Sequence, residues 1–446
     1  MKRSSVLFFL LVFFLLSMTI SFSQEVSEKK DISVFNLSYY DWDIPDFALG
    51  SIDSEIRSVF INIGRFRVLE VRKNFANDGD LQDFIRSLRQ IKEKQVEIPE
   101  EVSYGHVLFT EADFEALVSS FIVIVPEVTY FNVEVKEDDE GEVTGYSTEL
   151  KTSYSILDAS TMEVVAKPSV ESSGYDENER ASIQDAITSI KSKLTFKIKS
   201  VPLFTLKTGV LVVYSGGITL EKGKNMGILP GYEFEIISSE TIKPGLNRER
   251  HSGLVLVNSV SEEVSEATVL YGRPQEGDQL KEVPRVGVDG SVYVHAMIEN
   301  FETNDLIFTA GIKGTLALAV YFIRPIIGLE IPIAPIVANE DLNDIILLVY
   351  GFPLNIYLGA ELNWYFGRLQ VSPTLVAGVG IIAPYDDENE PALTNVGGKA
   401  YLALNYLVTR DVKISVDLGY AYWMNVSDLF LPYGGILAGA NVVFKM

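Results

Sequence analysis

Val412-Lys413-Ile414-Ser415-Val416-Asp417-Leu418-Gly419-Tyr420-Ala421-Tyr422 alternates without a break. Val412, Ile414, Val416, Leu418, Tyr420 and Tyr422 fall on one side, and Lys413, Ser415, Asp417, Gly419 and Ala421 on the other. A period of two over this length predicts a strand with one greasy and one polar face. The chain's last stretch repeats it, with Ile436, Ala438, Ala440, Val442 and Phe444 opposite Leu437, Gly439, Asn441, Val443 and Lys445. A tilted strand of about 9–11 residues crosses a bilayer core. In lipid every backbone amide needs a partner, so such strands must close on themselves.

Working outward, eight such segments follow one another at about 288–299, 305–319, 322–336, 345–363, 368–382, 397–408, 412–424 and 434–445. The joins near Tyr321, Phe366-Gly367 and Thr409-Arg410-Asp411 are short, whereas those at 300–304, 338–344, 385–396 and 425–434 are longer and more polar. Short turns on one side and longer loops on the other fit an outer-membrane barrel, short side periplasmic. Aromatics cluster where two rims would lie. Tyr321, Phe322, Trp364, Tyr365, Phe366, Tyr406 and Phe444 are expected at the periplasmic girdle, and Phe301, Tyr385, Tyr422, Trp423, Phe430 and Tyr433 at the outer one. A soluble sandwich or lipocalin-like barrel also alternates, and alternation alone does not say which face points inward. The girdles, the loop asymmetry and the terminal aromatic favour the membrane. Pro353 removes a ladder donor from the fourth segment and predicts a bulge, or a strand start near Leu354.

At 446 residues the chain has room for about three domains. A formal charge of −24 excludes nucleic acid as an expected partner. With no cysteine, disulfides, thiol chemistry and lipidation of an N-terminal cysteine are excluded. Lys2 and Arg3, an apolar run from Val6 to Leu16 and the small residues Ser21 and Ser23 predict a signal peptide over 1–23, cleaved between Ser23 and Gln24. A signal peptide with no other apolar stretch of 18 residues and a barrel points to a bacterial outer membrane.

Residues 24–200 read as a mixed α+β domain. A strand over 32–39 precedes a helix over 51–63 striped by Ile52, Ile56, Val59, Phe60 and Ile63; a strand over 65–71 follows. Asp80 opens a second helix, and Thr110 with Asp113 a third. A long strand over 119–135 pairs through an acidic turn with 149–157, a strand follows over 163–166, and Asp176 with Glu179 reads as a capping box for a last helix striped by Ile183, Ile187, Ile190 and Leu194. The stretches Gly64-Arg65-Phe66-Arg67-Val68-Leu69-Glu70, Tyr154-Ser155-Ile156-Leu157-Asp158 and Met162-Glu163-Val164-Val165, with the helix from Arg180 to Leu194, resemble the CsgG-type fold of curli-secretion proteins, shared in outline by the flagellar assembly protein FlgT and LpoB-type lipoproteins. The resemblance covers about 160 residues and implies a periplasmic domain.

Residues 201–285 carry five short strand signals, at 207–214, 218–220, 232–238, 252–259 and 266–270, which predict a small barrel. Gly227-Ile228-Leu229-Pro230-Gly231-Tyr232-Glu233-Phe234, Gly253-Leu254-Val255-Leu256-Val257 and Glu276-Gly277-Asp278 resemble the SH3-like C-terminal domain of FlgT-type proteins. Pro284 marks the join to 286–446, the eight-stranded antiparallel transmembrane β-barrel, which has the size of OmpA- or OmpX-type barrels.

No motif in the chain nominates catalysis. His106, His251 and His295 are scattered over three regions without metal-ligand spacing, and neither a phosphate loop, a dinucleotide fingerprint nor a nucleophile elbow is present. No cofactor or metal is expected. The acidic runs at 137–140 and 386–390 lack calcium-loop spacing and read as solvated turns. His295, Lys313, Glu330, Glu361, Lys399 and Asp417 are expected to point into the barrel as a polar network. By analogy with barrel assembly, Phe444 is the recognition aromatic. The expected function is a non-enzymatic, outer-membrane-anchored periplasmic scaffold that contacts membrane lipid and envelope proteins, with homo-oligomers possible. The alternative is a pore or secretion-channel component.

Overall fold

The computed structural model describes residues 27–39, 42–75, 78–93, 97–104, 107–161, 163–243, 246–298, 306–317, 322–334, 352–383, 392–426 and 432–446. The signal stretch with Ser23 and Gln24, the rim aromatics Phe301, Tyr321, Tyr385 and Phe430, His106 and the acidic run 386–390 lie outside the described residues.

The first unit runs β1 (Lys30–Phe35), β2 (Ser38–Tyr39), α1 (Asp46–Asn62), β3 (Phe66–Val71), α2 (Asp78–Lys92), β4 (Glu101–Tyr104), β5 (Val107–Thr110), α3 (Glu111–Ser119), β6 (Ile122–Glu137), β7 (Val143–Asp158), β8 (Glu163–Ala166), β9 (Ser169–Asp176) and α4 (Glu179–Ser200). One sheet, ordered β3-β1-β6-β7-β8 with β9 also on β7, carries helices on both faces. Successive residues of β6 explain this. Ile122 and Ile124 pack with the stripes of α1 and α4, while Val123 and Val125 pack with Phe84, Phe109 and Phe114 on the other side.

Thr110 and Asp113 cap α3 reciprocally. The expected Asp176–Glu179 box does not form. Asn178 caps α4 by accepting from the Ala181 amide, and Asp176 accepts from the Asn178 amide instead. Strand β9 escapes the hydrophobic pattern because a single apolar side chain, Val170, is buried in it. Gly174 there lets α4 lie close, since a Cβ would come within 2.1 Å of the Ser182 carbonyl.

The second unit is a closed barrel of six strands rather than five: β10 (Lys207–Tyr214), β11 (Gly217–Leu220), β12 (Glu233–Lys243), β13 (Leu246–Val260), β14 (Ser265–Tyr271) and β15 (Gln279–Val283). Strand β15 closes it by pairing with both β10 and β12. Its alternation of Leu280 and Glu282 with lysine is too short to register as a strand in the sequence.

The third unit is a closed antiparallel barrel of eight strands: β16 (Val288–Ile298), β17 (Leu306–Leu316), β18 (Ile323–Ala334), β19 (Phe352–Leu362) with its short continuation β20 (Trp364–Phe366), β21 (Leu369–Ala383), β22 (Ala392–Leu407), β23 (Val412–Asn425) and β24 (Tyr433–Lys445). Pairing of β16 with β24, Val294 opposite Ala440, closes the ring. No bulge forms at Pro353. It is the second residue of β19, and the β18–β19 ladder begins only at Asn355. No helix among the described residues is long and apolar enough to cross a membrane.

Candidate functional site: an inverted barrel and its two joints

Alternation leaves the direction of each barrel face open, and the structure resolves it. Asp289, Lys313, Arg324, Glu330, Glu361, Lys399, Lys413, Asp417 and Lys445 are the Asp, Glu, Lys and Arg residues of the described barrel strands, and all are buried inside. Between them Val292, Ile312, Ile327, Leu358, Leu375 and Val416 turn outward, each more than half exposed. A water-soluble barrel sorts its residues the other way round. Charge inside and hydrocarbon outside is the arrangement that a bilayer requires.

The rim aromatics divide by the same parity. Phe322, Trp364, Phe366, Tyr406 and Phe444 point outward near the end where the chain enters and leaves the barrel, and Tyr422 points outward towards the opposite end. Trp423, Tyr433 and Tyr365 depart from the expected girdle. Trp423 is fully buried in the lumen, stacked on Tyr433 at 6.2 Å between ring centres. Tyr365 accepts from Arg324 at 2.7 Å inside the lower rim. Neighbours in a strand face opposite ways, so Tyr422 and Trp423 cannot both face lipid, nor can Tyr365 face it with Trp364 and Phe366.

The lumen holds a polar interior built in groups. Lys399 pairs with Glu330, and its Nζ lies 3.2 Å from Nδ1 of His295. Nε2 of His295 lies 3.1 Å from Asp417, which also accepts from Ser415 at 2.8 Å. Tyr293 donates to Glu330 at 3.1 Å, and Tyr357 donates to Tyr293 at 2.9 Å. Lys313 donates to Tyr401 at 3.2 Å. Below, Arg324 donates to Asp289 at 3.4 Å and Lys413 to Gln370 at 2.8 Å. The six inward residues expected from the sequence are all in the lumen. The lower tier with Arg324, Gln370 and Lys413 was not anticipated. Its signal was present, since Lys413 shares parity with Asp417.

The six-stranded barrel sits across the lower mouth. Glu233, the first residue of β12, pairs with Lys445 and accepts from Arg285 at 2.9 and 3.1 Å. Arg285 also donates to Asp411 at 2.6 Å and to the Lys445 carbonyl at 3.1 Å. Arg410 reaches Glu235 at 3.2 Å, and Arg368 lies over the Tyr271 ring at 4.0 Å. Leu254, Leu256, Leu270 and Val283 pack against Leu407 of the large barrel. Burial alone would raise the Glu233 carboxyl, but Lys445 and Arg285 outweigh it and hold the group below its ordinary value.

A second joint ties the first unit to the small barrel. Arg65 grips Glu282 with two bonds, at 2.6 and 3.1 Å, and donates to the Phe204 carbonyl at 2.9 Å. Lys199 lies 3.7 Å from Glu282 and bonds to Tyr232. Burial opposes the Glu282 charge, yet Arg65 and Lys199 bring its value down; burial pulls Lys199 to about 8 and pushes Tyr232 up to about 12. Gly64 and Gly227 touch back to back at this joint, and a Cβ on Gly227 would fall 1.8 Å from the Ile63 carbonyl. Gly227 also has φ of +72°, so it is doubly constrained to glycine.

Both joints depend on carboxylates with lowered values. A group depressed in the folded state adds stability above its unfolded value and loses it as pH falls through the folded one. The joints are therefore expected to hold above about pH 4.5, the ordinary glutamate value, and to loosen below it. Limited proteolysis of the full chain around Pro202–Phe204, scanned down in pH, reads this; protection unchanged to pH 3 would contradict it.

No family model matches the chain, and no curated protein matches it either. Solved structures similar to it include Neisserial surface protein A, at 12% identity over 36% of this chain and 97% of that one, with a TM-score of 0.26. A major outer membrane protein from Thermus thermophilus is 10% identical over 36% of this chain and 100% of that one, TM-score 0.21. A designed transmembrane β-barrel is 12% identical over 35% and 95%, TM-score 0.20. At such scores the likeness carries no argument, and the weight rests on the sorting of charge in the barrel itself.

Proposed function

We propose that this chain is a bacterial outer-membrane protein whose barrel anchors a two-domain periplasmic scaffold, and that the scaffold binds other envelope proteins. The burial of all nine Asp, Glu, Lys and Arg residues of the described barrel strands behind an apolar outer surface carries the membrane half of this reading. The two buried ion-pair joints support the scaffold half, because they tie the upstream units to one another and to the barrel. The likeness of those units to CsgG-type and FlgT-type assembly proteins belongs to the same proposal. Two of the stretches that carry it, Gly64 to Glu70 and Gly227 to Phe234, also supply residues to the joints. The chain is read as a non-enzyme, its buried ionisable groups engaged in holding domains and strands together. Crosslinking in intact envelopes tests the scaffold directly. Recovery of the same envelope protein bound to residues of the first two units supports it, and crosslinks confined to lipid or to the barrel refute it.

Conduction is not favoured. Tyr293, His295, Glu330 and Lys399 fill the lumen, and Glu233 with Arg285 covers its lower mouth. The purified full chain in planar bilayers is expected to show no stable conductance steps. A persistent open level would favour a pore.

A further inference from the structure

The small barrel exposes an apolar feature that none of the contacts above uses. Leu211, Val212, Val213 and Tyr214 follow one another at the end of β10, and each is 38–48% exposed. Successive strand residues point to opposite faces, so both faces of this segment are uncovered. The reason lies in the pairing. Strand β10 leaves β15 after Gly209, while Val212–Tyr214 stay paired only with Ile218, Thr219 and Gly217 of β11. The β10 arm thus lacks a strand partner on its β15 side from Leu211 to Tyr214, while the β11 arm stays in the wall against β14, and the Tyr214 ring folds over Gly217, where a Cβ would approach it to 2.6 Å. A contiguous apolar patch on a surface in contact with water marks an interaction site.

Register says where the hairpin points. In β14, Thr268 lies opposite Gly217 and Ala267 opposite Ile218. Continuing along β14 towards its end therefore runs in the same direction as the hairpin tip, Ser215-Gly216. Two residues beyond Thr268, Leu270 meets the large barrel, its carbonyl 3.6 Å from the Cβ position of Gly367, and Tyr271 lies under Arg368. Gly367 belongs to the rim turn whose neighbours Trp364 and Phe366 point outward. The tip therefore points to the side of the small barrel that faces this rim, where the barrel's outer apolar belt begins. A tyrosine at the tip suits a headgroup boundary, where amphipathic rings gather.

We propose that the β10–β11 hairpin is a second lipid-contacting element, which lays Leu211 to Tyr214 against the periplasmic-leaflet interface beside the barrel. It braces the small barrel against tilting at the mouth. This inference rests on the membrane reading of the barrel, and its test separates the two. The chain has no cysteine, so a single introduced thiol is a clean label site. Val213→Cys, Leu375→Cys on the belt and Val135→Cys in the first unit each receive an environment-sensitive dye in the full chain. The proteins are reconstituted in phosphatidylcholine vesicles carrying nitroxide lipids. The expected result is loss of dye fluorescence at positions 213 and 375 to nitroxide lipid, and at 135 only to aqueous iodide. Quenching by lipid at 375 with iodide quenching at 213 overturns the hairpin proposal and leaves the barrel reading standing. Protection of 213 from both quenchers means that protein covers the hairpin, and this too overturns it. Absence of lipid quenching at 375 overturns the barrel reading and the hairpin with it.

Discussion

Leu358→Arg is expected to lower the stability of the barrel in lipid by about 2–4 kcal/mol, the cost of a cation on the lipid face near the bilayer midplane. Leu358 is 62% exposed, lies mid-strand in β19, and is flanked by Ile327 and Ala377. The same exposure in a water-soluble barrel would make arginine nearly neutral, within about 0.5 kcal/mol. The size of the result therefore separates lipid from water. Urea-dependent folding into phosphatidylcholine vesicles measures it, with Val164→Arg, on an equally open strand of the first unit, expected to be near neutral.

Arg65→Ala is the second large effect. It leaves the buried Glu282 carboxylate with Lys199 as its remaining cation and the Leu206 amide as its remaining donor, and removes the Arg65 donor to the Phe204 carbonyl. Breaking a buried pair from one side costs about 3–5 kcal/mol, whereas replacing both partners by apolar groups of similar volume is often neutral. The joint is expected to become protease-sensitive near Pro202–Phe204 in Arg65→Ala, with the double variant Arg65→Met/Glu282→Leu recovering protection. Equal sensitivity of both variants would mean that the ion pair itself matters less than the shape of the arginine.

The barrel was legible because a spanning strand must repeat one sorting rule over its whole length. Val412 to Tyr422 states that rule, and nine charged side chains keep it. Trp423, Tyr433 and Tyr365 lie near the rims in sequence, yet parity turns them inward. The joints were not legible as joints. Arg65, Glu282 and Gly227 are far apart in sequence, and nothing local distinguishes an arginine that grips another domain from one on a solvated turn. The glycine-rich stretches did stand out, yet the reason for Gly227, a carbonyl 1.8 Å from its missing Cβ, belongs to the neighbouring domain. Strands β9 and β15 were invisible for a simpler reason. Each buries too few apolar side chains to show a period.

The central claim is that the outer face of the barrel meets lipid and its lumen does not. Two of the chain's 3 tryptophans sit on opposite sides of that wall, Trp364 outward at the rim and Trp423 inside. Single-tryptophan forms of the full chain, keeping one of these and replacing the others by phenylalanine, can be reconstituted in vesicles of lipid brominated near the glycerol end. Trp364 fluorescence is expected to be quenched by the brominated lipid, and Trp423 fluorescence is not. Trp364 quenched only by aqueous iodide, with no effect of bromine, would contradict it.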